Sequence, residues 1–387
     1  MPFAAALSEH PVAAHAAGEV IGSILEQVGE RPDVALLFAT APHTGTLDDV
    51  ARAVRSVLRP VVFAGATAAS VVGRSQEVEE RPALSLWAAR FTGDVSVEPA
   101  IPVRLQVVAG PEGWAIWGLP DVAVEPGAPS RTLVLLPDPF SFPVAQFLDG
   151  LQERSPDLTV IGGLASAGRS AGGNRLVLDG AMHTDGAVGV LFPAGVRATT
   201  IVSQGCRPIG DPMIVTKAQG NILLELASEP ALTRLLRMVE HLTPAERALA
   251  AQGLHLGRVV DERKDRYERG DFLIRNVLGA DREAEAIAVG DEVEIGSTVQ
   301  FQVRDADSAD EDLRSLLAGR RADGALLFTC NGRGQHLFGT PDHDAELVDA
   351  IAGGATAGMF CAGELGPVGG RTFLHGFTAS VLLLEDE

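Results

Sequence analysis

The residues with the most suggestive chemistry form a polar, glycine-rich turn near the end of the chain. The turn reads Cys330-Asn331-Gly332-Arg333-Gly334. Backbone N–H groups of such turns can point toward an anion, and Asn331 can add a directed donor. An arginine guanidinium can bind a carboxylate through two parallel hydrogen bonds. The turn therefore predicts a binding site for a small anion.

A second glycine-rich turn follows at residues 361–370, and it carries one carboxylate, Glu364. Glu364 is the natural complement of an ammonium group, so the two turns together would suit a zwitterion such as an amino acid. The alternative is that the glycines only satisfy positive φ in tight turns, with Arg333 and Glu364 paired to each other. The predicted ligand-binding residues of the second turn are Cys361, Gly363, Glu364 and Gly366.

Arg275, which ends an apolar strand, is a further candidate, either as a carboxylate clamp or as an ion-paired strand end. The three cysteines, Cys206, Cys330 and Cys361, allow a buried structural role, a ligand-site thiol or a soft-metal site. No Cys-x-x-Cys or paired histidine spacing supports a metal. No complete acid–base or nucleophile set is visible, so we predict a binding protein and not an enzyme.

The elements that must position these turns alternate between strand and helix. A short apolar run at 324–329 predicts a buried strand that enters the first turn. A cap residue at Thr340, with Pro341 at the first helical position, predicts a helix start. A second strand at 356–360 opens into the second turn, and a third is predicted at 373–384.

Two earlier stretches repeat this order of strand, helix, strand, glycine-rich turn and return strand. They begin near residues 34 and 132, so the chain predicts an internal repeat with three copies. The predicted fold class is mixed α/β (α+β), with repeated strand–helix–strand–strand units that form mixed β-sheets flanked by helices. We expect a helical segment at 1–30, then two domains at 31–210 and 211–387.

Composition excludes several classes of protein. The 387 residues are 46% hydrophobic and 21% charged, which is typical of a globular chain. A formal net charge of −20 argues against nucleic-acid binding, which needs a basic face. No apolar run is long enough to span a membrane, and the N-terminus lacks a basic secretory signal. With an odd number of cysteines, these features predict a cytoplasmic protein.

Six stretches have the length and composition of specific motifs, at residues 203–210, 215–221, 330–334, 341–344, 360–367 and 373–378. Through these motifs the chain resembles the FIST family over nearly its whole length, from about residue 30 to 384. Residues 65–70 depart from the family's cysteine- and glycine-containing turn, which weakens any ligand contact there.

The resemblance implies an intracellular sensory domain of signal transduction that binds small molecules, amino acids or other small carboxylates among them. Its output would pass through a signalling partner. Some bacterial members are described as haem-binding nitric-oxide sensors, in which case His343 and His375 would be the axial candidates; otherwise no cofactor is expected. A eukaryotic F-box relative uses its FIST region to recruit proteins, so an interaction scaffold is a further alternative.

Overall fold

A computed structural model describes residues 3–91, 99–110, 113–120 and 131–386. It divides the chain into two compact units. The first comprises Met1–Val202, Leu313–Leu374 and Thr378–Glu387, and the second comprises Ser203–Asp312 and His375–Phe377. Both units are discontinuous along the chain, so they do not test a single sequence boundary near residue 210, which stays a prediction.

The elements before Val202 are β1 (Phe3–Ser8), α1 (Ala13–Val28), β2 (Val34–Thr40), a 3-10 turn (Ala41–Thr46), α2 (Leu47–Val57), β3 (Val62–Ala68), β4 (Ser70–Gly73), β5 (Gln76–Glu79), β6 (Leu84–Ala89), β7 (Ile101–Gly110), β8 (Gly113–Trp117), β9 (Arg131–Pro137), α3 (Val144–Arg154), β10 (Leu158–Gly163), β11 (Leu176–Leu178), β12 (Ala181–His183) and β13 (Ala187–Leu191).

The remaining elements are β14 (Arg197–Gln204), β15 (Cys206–Pro208), β16 (Met213–Gln219), β17 (Ile222–Leu226), β18 (Glu229–Pro230), α4 (Ala231–His241), α5 (Pro244–Gln252), β19 (Leu254–Val259), β20 (Phe272–Asp281), β21 (Ala286–Val289), β22 (Thr298–Arg304), α6 (Ala306–Leu317), β23 (Gly324–Cys330), α7 (Gln335–Phe338), α8 (His343–Ala352), β24 (Thr356–Cys361), β25 (Glu364–Val368), β26 (Arg371–His375) and β27 (Thr378–Glu385). The chain is thus a mixed α/β protein, as the sequence predicts.

The three stretches that the sequence pattern aligns adopt the same local topology in the first unit. Each contains two parallel strands joined through a helix: β2–α2–β3, β9–α3–β10 and β23–α8–β24. Each first strand also pairs with an antiparallel return strand, which is β6, β13 and β27 respectively. Apolar residues spaced at helical intervals, such as Val50 and Val54 or Phe147 and Leu151, bury one side of each helix.

The first unit is held together by an exchange of hairpins among these three stretches. The hairpin β4–β5 leaves the first stretch and pairs with β24 of the third. The hairpin β11–β12 of the second pairs with β3 of the first, and β25 of the third pairs with β10 of the second. Three mixed sheets therefore surround one apolar core, to which Phe38, Ile161 and Phe328 belong.

The N-terminal segment differs from the prediction of a purely helical segment. The helix α1 is present with Val20, Ile21 and Ile24 buried, but β1 precedes it and pairs antiparallel with β6. The consecutive alanines of β1 are buried on both faces, so this segment lacks the polar alternation that signals a strand in a sequence.

The second unit is built around an antiparallel sheet that closes on itself. Strand β22 pairs with both β16 and β19, which completes a ring through β17, β21 and β20. Side chains such as Val215, Leu256 and Phe301 fill the interior, and α4 packs Leu232 and Leu235 against the same core.

Two further predictions concern a strand at residues 95–97 and the absence of a membrane-spanning segment. The short strand that the alternating residues 95–97 predict lies outside the described residues. Among the helices that the structure describes, none combines the length and the apolar character that crossing a membrane requires.

Candidate functional site

The two predicted turns start side by side at the carboxyl ends of β23 and β24. Cys330 faces Cys361 across this parallel pair. The backbone N–H of Asn331 donates to the carbonyl oxygen of Cys361 at 3.0 Å. Asn331 is exposed, whereas Cys330 and Gly332 are partly exposed. The structure therefore brings the beginnings of the two turns together, with part of the first open to solvent.

Arg333 points inward and forms an ion pair within the protein. Its side chain is fully buried, and Nε and Nη2 donate to the two carboxylate oxygens of Asp344 at 2.7 and 2.9 Å. Its guanidinium carbon also lies 5.2 Å from the centre of the Phe338 ring. The bidentate carboxylate partner is thus Asp344, and the alternative of a direct Arg333–Glu364 pair is wrong.

Asp344 is the centre of a buried hydrogen-bond network. Thr329 donates its hydroxyl to Oδ2 at 2.8 Å, and His343 Nδ1 lies 3.0 Å from Oδ1. Burial alone would raise the pKa of Asp344, but the Arg333 charge and its hydrogen bonds hold that pKa well below its usual range. Burial would likewise lower the pKa of Arg333, and Asp344 more than offsets this. Both groups remain charged inside the protein.

The helix that carries Asp344 begins later than predicted. It starts at His343, so Pro341 lies outside it, and Asp342 adopts φ 65° without a side-chain cap. Glu77 from the distant β5 strand supplies the acceptor instead, because its Oε1 binds the N–H groups of Asp344 and Ala345, each at 3.1 Å. In return, Asp342 accepts the backbone N–H of Glu77 at 2.6 Å. Local sequence contains no signal for this reciprocal cap.

Glu364 is also buried, and the segment around it is a strand and not the open turn that the glycines predict. Glu364 and Leu365 pair with Gly163 and Gly162 of β10. A Cβ atom on Gly163 would lie 2.1 Å from the sulfur of Cys361, so this close pairing requires glycine. The predicted continuous strand at 373–384 is likewise split into β26 and β27.

The carboxyl group of Glu364 is largely uncharged near neutral pH. Burial raises its pKa to about 8, and hydrogen bonds from Thr378 with the charge of Arg333 offset only part of this effect. Thr378 donates its backbone N–H and its hydroxyl to Oε2, at 3.1 and 2.8 Å. Burial also raises the pKa of Glu77 to about 8, with a further contribution from the Asp344 charge.

Three polar atoms in this region have no hydrogen-bond partner among the residues that the structure describes. They are Nη1 of Arg333, Oε1 of Glu364 and Oε2 of Glu77, and all three are buried. An unpaired polar atom inside a protein costs free energy unless something binds it. The Arg333 charge lowers the pKa of Glu364, and a hydrogen bond from the Cys330 side chain to the Glu364 carboxyl group acts in the same direction.

Three other predicted site residues are closely packed, hydrogen-bonded or ion-paired within the protein. Gly366 is packed closely, because a Cβ there would lie 2.5 Å from Val202 Cγ2. The buried thiol of Cys361 donates to the carbonyl of Met359 at 3.4 Å, and burial raises its pKa well above the usual value. Arg275 belongs to the second unit, where its Nε binds Asp291 at 2.7 Å. The ligand-binding role of these residues stays a prediction.

The two histidines proposed as haem ligands do not fit that group. His343 belongs to the first unit, where its ring stacks on Phe338 with centres 3.5 Å apart. It stands beside the buried charges of Asp344 and Arg333, whereas a haem needs a large apolar pocket. His375 is 3% exposed and belongs to the second unit. Across the described ranges, no cluster of three or more His, Cys, Asp or Glu side chains could hold a metal ion.

Comparison with known proteins gives two family matches that together span most of the chain. The FIST N domain matches residues 33–229, and the FIST C domain matches residues 231–367. The candidate turn at 330–334 and Glu364 fall inside the second match, whereas Glu77 falls inside the first.

Full-length relatives occur in mycobacteria. Uncharacterized protein Mb0898c of Mycobacterium bovis is 43% identical over 387 residues, which is 97% of each chain. Uncharacterized protein Rv0628c of Mycobacterium tuberculosis is 42% identical over 394 residues and covers all of both chains. The similarity extends through both units of the structure.

Proposed function

Because the chain belongs to the FIST family, whose domains are described as small-ligand sensory domains of signal transduction, we propose that it binds a small zwitterion or carboxylate, such as an amino acid. The site would lie beside the carboxyl ends of β23 and β24. The observation that supports this site is the pair of buried atoms without a protein partner, the donor Nη1 of Arg333 and the acceptor Oε1 of Glu364.

In this proposal, Arg333 acts through the one nitrogen that Asp344 does not use. Asp344 fixes the guanidinium by two hydrogen bonds, so the two N–H groups of Nη1 are preorganised and lose little conformational freedom on binding. A ligand carboxylate would accept from Nη1. The half-exposed residues Cys330 and Gly332 would border the site.

Glu364 would receive the ammonium group of the same ligand. Its pKa of about 8 means that the carboxyl group carries a proton near neutral pH. A positive charge placed beside it favours the ionised form, so binding of an ammonium group should release this proton. Proton release distinguishes a zwitterion from a simple carboxylate, which would leave Glu364 protonated.

The remaining parts of the proposal concern cellular role and origin. We propose a cytoplasmic sensor that passes its signal to a partner protein and carries out no reaction of its own. The shared strand–helix–strand topology of the three stretches in the first unit supports an origin by internal repeat.

Calorimetric titration with glycine, acetate and methylammonium tests the proposed site. Glycine should bind more tightly than either of the half ligands, and its apparent enthalpy should depend on the ionisation enthalpy of the buffer. Glu364→Gln keeps the shape of the side chain and should weaken glycine binding about ten-fold or more, because one charge-assisted hydrogen bond is lost.

Glu346→Gln is the matched control, since Glu346 is exposed on the same helix as Asp344. It should bind glycine as the unmodified protein does. A panel of amino acids that fails to bind, or a Glu364→Gln variant with unchanged affinity, would overturn the proposed site. Arg333→Ala is unsuitable here because it would also leave Asp344 without its partner.

A further inference from the structure

The second unit contains a cavity of about 840 Å³. It lies between α4, β16 and the start of α5, and all its lining residues fall within 210–246. A volume of this size is typical of sites that hold small molecules. All these lining residues belong to the second unit, and none of them belongs to the site proposed above.

One wall of the cavity is a cationic stripe on α4. Arg234, Arg237 and His241 line the cavity together with Met238, at positions i, i+3, i+7 and i+4 of one helical face. The opposite side of the helix carries Leu232 and Leu235, which pack into the barrel core. The amphipathic pattern of α4 therefore directs its basic residues toward the cavity.

The two arginines of this stripe share one carboxylate as an ion-pair partner. Glu229 is a shared partner, 2.8 Å from Nη1 of Arg237 and 3.6 Å from Nη1 of Arg234. One carboxylate thus faces two guanidinium groups. Of the acidic residues that line the cavity, Glu246 accepts two hydrogen bonds from Thr243 at its carboxylate and pairs with Arg207, and Asp211 is exposed.

Much of the remaining lining is apolar, although Thr216 and Ser228 add hydroxyl groups. Met213, Ile214, Met238 and Leu242 line the cavity, and Ile214 is 54% exposed in spite of its size. Exposed aliphatic surface inside a concave site is surface that a ligand can remove from water. The cavity therefore combines an apolar body with a cationic wall.

Backbone irregularities concentrate at the same place. Ala227 and Ser228 line the cavity with φ of 48° and 63°, although neither is glycine. The pairing of β16 with β17 shifts register near Val215 and Lys217. Gly210 has φ 62°, and a Cβ there would lie 2.6 Å from Met238 Cγ. Left-handed residues and bulges of this kind cluster at binding sites.

We propose that this cavity binds an organic anion with an extended apolar body, in the class of medium-chain monocarboxylates. The carboxylate lies against Arg234 and Arg237, where it shares the two guanidinium groups with Glu229. The hydrocarbon chain covers Met213, Ile214 and Met238. This site goes beyond the proposed function, because neither Arg333 nor Glu364 takes part in it.

Calorimetric titration of the full chain with octanoate, octanol and octylamine separates the contribution of the carboxylate from that of the hydrocarbon chain. Octanoate should bind about ten-fold more tightly than octanol, since the guanidinium groups add a charge-assisted contact, and octylamine should bind most weakly. Arg234→Gln combined with Arg237→Gln should reduce octanoate affinity to that of octanol. Equal affinities of the three probes, or no binding by any of them, would overturn the proposal.

A pair of substitutions at Ala227 tests the position of the site without touching the arginines. Ala227→Trp places a bulky ring at the exposed turn beside the cavity and should abolish octanoate binding. Ala227→Asn is the matched control, because asparagine tolerates the left-handed conformation and should leave binding unchanged. Octanoate binding that survives Ala227→Trp in a folded protein would place the ligand elsewhere. Glu364→Gln should not change octanoate affinity.

Discussion

Arginine is used in opposite ways in the two units of this protein. In the first unit, Arg333 is fully buried and forms a bidentate ion pair with Asp344. In the second, the side chain of Arg237 is 52% exposed at a cavity and contacts Glu229 through a single nitrogen. Arg333 lies in a polar, glycine-rich turn and Arg237 on the polar face of an amphipathic helix, and neither local sequence indicates which residue the arginine contacts.

The difference shows that an arginine in a glycine-rich motif can stabilise the conformation of that motif through an ion pair within the protein. Arg333 links the first turn to α8, and its Nη1, which has no hydrogen-bond partner among the described residues, is the nitrogen that could bind a ligand. Arg237 can turn most of its donors toward a ligand, since solvent already reaches it. The following predictions test this contrast, beginning with the largest expected effect.

Loss of the two arginines should have very different effects on stability. Arg333→Met leaves the carboxylate of Asp344 buried without its partner, so we expect a loss of about 3–5 kcal/mol in the free energy of unfolding. Arg237→Met, at a largely exposed position, should change it by no more than about 0.5 kcal/mol. Urea unfolding of both variants measures this difference. Similar losses in the two variants would contradict the contrast.

Stability should fall as the pH rises from 5 to 8. Glu77 and Glu364 have pKa values of about 8 in the folded protein against an ordinary value of 4.5, so the folded state retains protons that the unfolded state releases. Each group then contributes a slope of up to about −1.4 kcal/mol per pH unit in this window.

Glu364→Gln removes one of these titrations and should make the slope less steep by about the same amount. Unfolding midpoints in urea at several pH values measure the slope, with Glu346→Gln as the control. Asp344 acts in the opposite sense, because its lowered pKa gives stability that is lost when strong acid protonates it. A stability that does not change between pH 5 and 8 would contradict the burial of the two glutamates as uncharged groups.

Two glycines with positive φ allow a test of the constraints on the first turn, where Gly334 also has ψ −148°, a combination that favours glycine. Gly334 has φ 61°, and a Cβ there would meet Glu79 Oε1 at 2.7 Å and Phe360 at 2.8 Å. Gly220 has φ 58° and open space around it. Gly334→Ala should lower the free energy of unfolding by about 2–3 kcal/mol and Gly220→Ala by about 1 kcal/mol. Thermal unfolding of the two variants compares them, and equal shifts would show that the turn has room to relax.

The smallest expected effect concerns the capping box of α5 beside the cavity. Thr243 accepts the backbone N–H of Glu246 at 3.2 Å, and Glu246 accepts that of Thr243 at 3.0 Å. Thr243→Ala should destabilise the second unit by about 1 kcal/mol, whereas Thr243→Ser should preserve the cap. Hydrogen exchange of the amides of α5 measures this change, and equal exchange in both variants would contradict it.

Much of the first unit could be predicted from patterns that are local in sequence. Apolar residues at helical spacing identify α2 and α3, and buried apolar runs identify β2, β9 and β23. The capping box of α5 can also be recognised in the sequence, since Thr243 and Glu246 have the required spacing. Local patterns do not indicate which strand each hairpin pairs with. The strand β4, for example, pairs with β24, which lies about three hundred residues later in the chain.

The same limit explains the misassigned parts of the site. Arg333, Glu364 and the glycines stand out by residue type, but their partners are chosen by tertiary packing. Glu77 lies in a strand that the repeat pattern did not reveal, and it caps a helix of the third stretch. The pairing of Glu364 with Gly163 turned a predicted loop into a strand. The cavity of the second unit depends on the distance between α4 and β16, which no local sequence pattern predicts.

The contrast between the arginines can be measured directly through hydrogen exchange of their side chains. The N–H group at Nε of Arg333 donates to Asp344 in a fully buried position, whereas the side chain of Arg237 is half exposed. Nuclear magnetic resonance of the guanidinium groups should show exchange at Arg333 that is slower by orders of magnitude than at Arg237. Equally fast exchange at the two residues would contradict the account, because Arg333 would then not be held inside the protein.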